Sequence, residues 1–326
     1  MLIMNDFSYH IDSTDKMILW YLAQNARIGE TALSNLVNKS REAVSYRIKN
    51  LEKHKIILGY SLYLDFAKLG FQGYKVYLKL KNDPKQKEKF FLDLKSRSNV
   101  FWLALGDGVW DVGITFIAKS NEDFYFLKSD LFSKYSNLIL EKFTGSLVSP
   151  IAFGEKFLHP DFVPQAANLS EEGETFTLSD EDRNLLSILF SNSRLSLVML
   201  ARKSNLSIDQ VKNRLGGYLK NGIIKRFYAE IDYSRIAYEF YKTFVYLSTL
   251  SREEEDAIFQ FCKQHPNIVN FVRVISPWDL ELEIIVENYS AYSKTLNLFK
   301  EKFKDNVRNC ETTLMIGSIV YPSRKI

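Results

Sequence analysis

Two short windows of the chain carry basic, hydroxyl and amide side chains at helical spacing. The first holds Ser40, Arg41, Ser45, Tyr46, Arg47 and Lys49; the second holds Ser207, Gln210, Lys212, Asn213 and Arg214. Guanidinium and ammonium groups can grip phosphate or read the acceptor edge of guanine. Hydroxyls and amides can hydrogen-bond to bases or to a sugar–phosphate backbone. Glu42 and Asp209 sit among them; an acid near a helix N-terminus suits the helix dipole but repels phosphate. Arg47 recurs as Arg214, which implies a shared task, either a phosphate contact or a salt bridge inside the domain. Other chemistry is poorly supplied. His10, His54, His159 and His265 are scattered, and neither a glycine-rich phosphate loop nor a His-Glu-x-x-His pattern occurs. Cys262 and Cys310 are too few and too far apart for a disulfide framework or a four-ligand zinc site. No catalytic residue, metal or cofactor is expected.

The elements that must carry these windows follow from local pattern. Ser40 is a good N-cap for a helix running to about Lys53, whose buried stripe is Val44, Ile48 and Leu51. Before it come a helix opened by Asp12 with Asp15 three residues on, and a short helix near Glu30–Val37. The second window has the same plan: Ser179 with Asp182, a helix at Leu197–Ser204, and a helix from Ser207 with Val211, Leu215 and Tyr218 or Leu219 inside. Gly216-Gly217 implies that this last helix bends, ends, or receives a close neighbour. Three short helices and then an Ile-Ile pair with a polar turn describe a winged helix-turn-helix.

The windows belong to an internal repeat. At an offset of 167, Asp15 falls on Asp182, Asn25 on Asn192, Arg27 on Arg194, Val44 on Val211, Ile56-Ile57 on Ile223-Ile224 and Tyr74-Lys75 on Tyr241-Lys242. At 168, Asn99 meets Asn267, Trp110-Asp111 meets Trp278-Asp279 and Thr144 meets Thr312. The back of each unit reads strand, helix, strand, strand, helix, strand, the ferredoxin-like plan. The expected class is α+β: two winged helix-turn-helix domains, each followed by a ferredoxin-like βαββαβ domain, forming an internal pseudo-dimer. The expected ranges are 8–60, 61–155, a connector at 156–176, 177–227 and 228–326. Gly154–Thr177, with Pro160, Pro164, Gly173 and the acidic Glu171, Glu172 and Glu174, reads as an extended, solvated connector; an ordered tail is the competing reading up to about residue 160. Each unit leaves one aromatic-rich sheet face open, which sheet-on-sheet stacking would close, with Trp110 and Trp278 between the sheets.

Composition sets the frame. The chain has 326 residues, 46% hydrophobic and 25% charged, the mix of a globular protein and not of a disordered one. A net charge of +4 is unremarkable, but its distribution is not. Residues 11–60 hold eight basic against five acidic side chains, and residues 178–227 nine against four. The excess positive charge therefore sits on the helical domains, as phosphate neutralisation requires. No run of about 18 apolar residues occurs, and Met1-Leu2-Ile3-Met4 is too short for a signal peptide, so a cytoplasmic setting is expected.

The stretch from Asp12 and Asp15 through Asn25-Ala26-Arg27-Ile28, Leu33, Ser40, Val44, Arg47-Ile48, Leu51-Glu52, Ile56-Ile57 and Gly59-Tyr60 resembles the N-terminal domain of Lrp/AsnC-type transcription regulators. The following portion resembles that family's ligand-sensing domain, including a Gly-x-x-Asp-like turn at Gly106-Asp107-Gly108-Val109-Trp110-Asp111. The resemblance implies double-stranded DNA as partner, with the third helix of each head in the major groove. It also implies an amino-acid-like effector near Gly106, Asp107 and Asp111, and near Asp279, where Ser276-Pro277 replaces the glycines; the alternative is a plain turn whose Asp caps backbone. Because the two windows expose different side chains, an asymmetric DNA site is expected. Sirohaem decarboxylases resemble the same architecture, although the His-, Arg- and Asn-rich segment of those enzymes has no match at 99–118 or 267–287. A third reading is an interaction module in which one head has lost DNA.

Overall fold

The computed structural model describes residues 9–159, 166–171 and 173–320, without the side chains of 318–320. Helix α1 (Ser13–Gln24) opens on a reciprocal cap: the Asp12 carboxylate accepts from the Asp15 amide at 2.8 Å, and the Asp15 carboxylate accepts from the Asp12 amide at 3.3 Å. Helix α2 (Glu30–Leu36) and α3 (Arg41–Lys53) follow, the latter capped by the Ser40 hydroxyl, and then strand β1 (Ile57–Leu64). The back of the unit runs β2 (Gln72–Leu80), α4 (Pro84–Ser96), β3 (Val100–Gly108), β4 (Val112–Ala118), α5 (Asn121–Lys134) and β5 (Ile139–Ala152).

After a two-residue strand β6 (Ala167–Asn168), the second unit repeats the order. It runs α6 (Asp180–Ser191), α7 (Leu197–Ser204), α8 (Ile208–Lys220) and β7 (Ile224–Ile231), then β8 (Glu239–Leu247), α9 (Arg252–Gln264), β9 (Ile268–Ile275), β10 (Leu280–Val286), α10 (Tyr289–Lys302) and β11 (Val307–Val320).

The two helical heads are joined by strand pairing. Strand β1 runs antiparallel to β7, with Ile57 opposite Ile231 and Leu64 opposite Ile224. Bonds around this ribbon come in exchanged pairs. The Asp65 amide donates to Ile223 O and the Asp232 amide to Ile56 O; the Ala26 amide donates to Phe227 O and the Ser193 amide to Tyr60 O. Arg27 donates to Ser193 O and to Leu195 O, and Arg194 donates back to Ala26 O. One continuous apolar core, including Leu19, Val44, Leu62, Leu186, Val211 and Phe227, fills both heads.

The back strands close into a barrel. Their order is β2-β4-β3-β11-β8-β10-β9-β5, and β5 pairs again with β2, all antiparallel, so both edges of each four-stranded sheet are used. The sheets thus do more than stack: they meet edge to edge through β3–β11 and β5–β9, which removes free edges altogether. Eight strands leave an interior just wide enough for side chains. Trp278 lies there, 2% exposed, with its ring 4.3 Å from that of Phe143, 4.7 Å from Phe244 and 5.5 Å from Tyr77. Outward faces pack under α4 and α5 in one unit and α9 and α10 in the other, and Ile117, Val269 and Ile285 at one barrel end join the core of the heads.

Two expectations are corrected. The stretch after β5 is not a solvated connector from its start: Phe153, Lys156, Phe157 and Leu158 are buried. Lys156 donates to the carbonyls of Cys262 at 3.1 Å and Lys263 at 2.7 Å, capping the end of α9, while Phe157 sits 4.7 Å from the ring of Tyr238. Burial lowers the Lys156 ammonium to about 7. Apolar residues flanking one lysine made this segment a docked strap; Pro160, Pro164 and Glu172 lie outside the described residues. The second correction concerns Gly216 and Gly217. Helix α8 runs unbroken through both, and a Cβ at either would meet nothing within 4 Å.

Candidate nucleic-acid interface

In each head the third helix is held by an arginine that reaches back to the cap of the first. Arg47 lies 2.8 Å from Asp12 Oδ2 and 2.8 Å from Asp15 Oδ1. Arg214 pairs with Asp182 and reaches the Ser179 hydroxyl at 3.4 Å, and Tyr218 also donates to Asp182. Burial would raise the Asp12 carboxyl, but the Asp15 amide and the Arg47 guanidinium outweigh it and hold the pKa below its ordinary value. For Asp182 the same penalty is outweighed by Tyr218, Ser179 and Arg214. The Arg47 guanidinium is raised in turn, chiefly by its bond to Asp15. Of the two tasks open to this repeated arginine, the geometry supplies the salt bridge: it fixes the angle at which the third helix is presented.

The remaining expected contacts divide by exposure. On α3, Arg41, Tyr46 and Lys49 point outward, Tyr46 being 71% exposed, and Ser45 is half-buried. Arg41 has one loose neighbour, Glu30 at 3.8 Å. On α8, Lys212 and Asn213 are exposed. Ser40, Ser207 and Gln210 are exposed but serve as caps: Ser40 Oγ accepts from the Ala43 amide, Ser207 Oγ from the Gln210 amide, and Gln210 Oε1 from the Ser207 amide. Lys39, Arg202 and Lys203 are exposed beside the two helices, and Lys53 and Lys220 are exposed at their C-terminal ends. No spacing singles these residues out, although all five contribute to the charge excess of the helical domains. Each head therefore offers a helix with an outward polar and cationic face, fixed from behind, and the two faces differ: Arg41, Tyr46 and Lys49 on one, Lys212 and Asn213 on the other.

Three of the four expected effector residues make contacts at the ends of the barrel strands. Asp111 Oδ2 accepts from the Leu80 amide at 2.7 Å and Asp111 Oδ1 pairs with Lys79 at 2.9 Å; Asp279 Oδ2 accepts from the Leu247 amide, also at 2.7 Å. These aspartates staple the turn of each unit to the end of its first barrel strand, which is the alternative role given above. Gly106 lies opposite Met315, and a Cβ there would overlap Thr313. The close backbone approach that glycine permits is thus taken by β11 of the other unit, not left for a small molecule. Gly108, at φ 147°, holds the same junction. Asp107 and Asp279 are exposed, whereas Gly106 and Asp111 are half-buried.

Comparison with known proteins bears on the first head and on the fold. Residues 11–57 match the family model described as winged helix-turn-helix DNA-binding. An HTH-type transcriptional regulator of Pyrococcus furiosus is 34% identical over 62 residues, covering 19% of this chain and 42% of the relative. The HTH-type transcriptional regulator LrpB of Bacillus subtilis is 41% identical over 61 residues, covering 19% and 41%. The chain thus spans about two fifths of the length of these relatives. A crystal structure of the siroheme decarboxylase NirDL shares the fold over 96% of both chains, with a TM-score of 0.61 at 11% identity.

Proposed function

We propose that this chain, whose helical heads are of Lrp/AsnC type, is a sequence-specific DNA-binding transcription regulator that carries both heads of a dimer in one polypeptide. The observation that supports it most is the pair of outward cationic helices, α3 and α8, each braced from behind by an arginine and held to each other by a shared ribbon and core. Heads fixed in this way meet a duplex as a unit, and phosphate contacts set their register while the exposed side chains read bases. Because Arg41, Tyr46 and Lys49 are matched in the second unit by Ile208, Asn213 and Gly216, the two half-sites recognised differ. Selection of bound duplexes from a random pool, followed by gel shift, tests this. Enriched sequences with unlike halves are expected; preference for perfect palindromes overturns the asymmetry, and no enrichment overturns sequence-specific binding.

The regulator reading carries a cytoplasmic setting and an amino-acid-like effector. A shift in DNA affinity or thermal midpoint on adding single L-amino acids tests the effector. A second reading, a tetrapyrrole-processing enzyme, is favoured by one observation, the whole-chain fold shared with NirDL. Titration with an iron tetrapyrrole followed by absorbance tests it: a saturable Soret shift supports it, and an unchanged spectrum overturns it.

A further inference from the structure

The barrel interior holds a charged cluster that the regulator reading does not use. Lys242, fully buried, lies 3.0 Å from Glu281 Oε2 and 2.6 Å from Glu283 Oε1. Lys75, also buried, lies 3.7 Å from Glu281 Oε2. Both ammoniums stand over the ring of Trp102, at 4.8 Å and 5.0 Å from its centroid. Glu281 accepts from Trp278 Nε1 at 3.3 Å, and Glu283 accepts from Asn270 Nδ2 at 2.5 Å. Two ammoniums and two carboxylates make the cluster neutral.

The two units contribute to it unequally. Lys75 and Lys242 are repeat counterparts, but Glu281 and Glu283 correspond to Gly113 and Thr115, and Asn270 corresponds to Trp102. Strand register agrees: Lys242 faces Glu283 as Lys75 faces Thr115, and Phe244 faces Glu281 as Tyr77 faces Gly113. Size is exchanged along with charge. A Cβ on Gly113 would come within 2.9 Å of the Trp102 ring, so the unit that supplies the large ring cannot also carry a side chain at that position.

We infer that the inner wall of the first unit is matched to the inner wall of the second and not to a copy of itself, so the barrel closes from one unit of each kind. Two first-type walls would bury two ammoniums with no carboxylate at these positions. Two second-type walls would bury four carboxylates around two ammoniums and lack the tryptophan between them. Uncompensated charge in a closed interior is strongly destabilising, whereas matched charge can be replaced by neutral groups at little loss. The partner this surface fits, within the chain or in another copy of it, is therefore always the unlike unit.

The full-length chain tests this. The E281Q/E283Q variant gives the second wall the charge of the first with almost no change of shape. Its thermal midpoint is expected to fall by roughly 10 °C. Adding K75M and K242M to that variant removes the stranded ammoniums and is expected to bring the midpoint back to within about 3 °C of the parent. An unaltered midpoint in E281Q/E283Q overturns the inference. So does a loss, or a failure to fold, that the two lysine substitutions do not relieve, because the side chains then matter for packing and not for charge matching.

Discussion

Arg47 and Lys49 are two positions apart on α3 and do different work. Arg47 is committed to Asp12 and Asp15, so Arg47→Met is expected to lower stability by about 1 kcal/mol, read from a urea midpoint. Lys49 is exposed, so Lys49→Ala is expected to leave that midpoint unchanged and to reduce the salt slope of DNA binding by about 1. Acid reports the same brace. Asp12 and Asp182 have folded pKa values below the ordinary carboxylate value, so the stability they confer is present above that value and lost as pH falls through the folded pKa. The R47M/R214M variant is expected to show a shallower stability loss on acidification than the parent, by circular dichroism at fixed temperature; equal slopes would mean that the arginines do not hold those carboxylates. The sequence showed that Arg47 and Arg214 share a task but left two open, because a spacing of 32 residues to an aspartate says nothing about reach until the helices are packed.

Helix caps are local, and Asp12, Ser40, Ser179 and Ser207 all stand where their own neighbours dictate. Composition alone suggests a bend, an end or a close neighbour at the glycines of α8, whereas the helix continues, neither residue adopts a positive φ and neither has a neighbour to admit. Gly216→Ala and Gly217→Ala are accordingly expected to stabilise the chain, each by about 0.5–1 kcal/mol, raising the urea midpoint without changing its slope. Loss of stability instead would point to crowding on this face. The pairing of β1 with β7 left no trace in local pattern. An alternating strand specifies which face is buried but not which edge it meets, and here its partner lies 167 residues away.

At the scale of the molecule, a shared core and exchanged Arg27 and Arg194 contacts make the two heads one folding unit. Calorimetry is expected to show both heads melting together. Arg27→Ala is expected to lower that common transition by roughly 2 kcal/mol, since it strands the carbonyls of Ser193 and Leu195; two separated head transitions would contradict the shared core. The repeat and the ferredoxin-like order were legible because they recur along the chain, but barrel closure was not, because it depends on edges meeting between units. Fixed heads with cationic third helices should release counterions when they engage a duplex. The most direct measurement is the affinity for a selected duplex, by fluorescence anisotropy, across a range of salt concentrations. Neutralising about four to eight phosphates predicts a log–log slope of about −4 to −7, made shallower in the R41A/K49A/K212A variant. An affinity indifferent to salt, or unaltered by those three substitutions, contradicts the account.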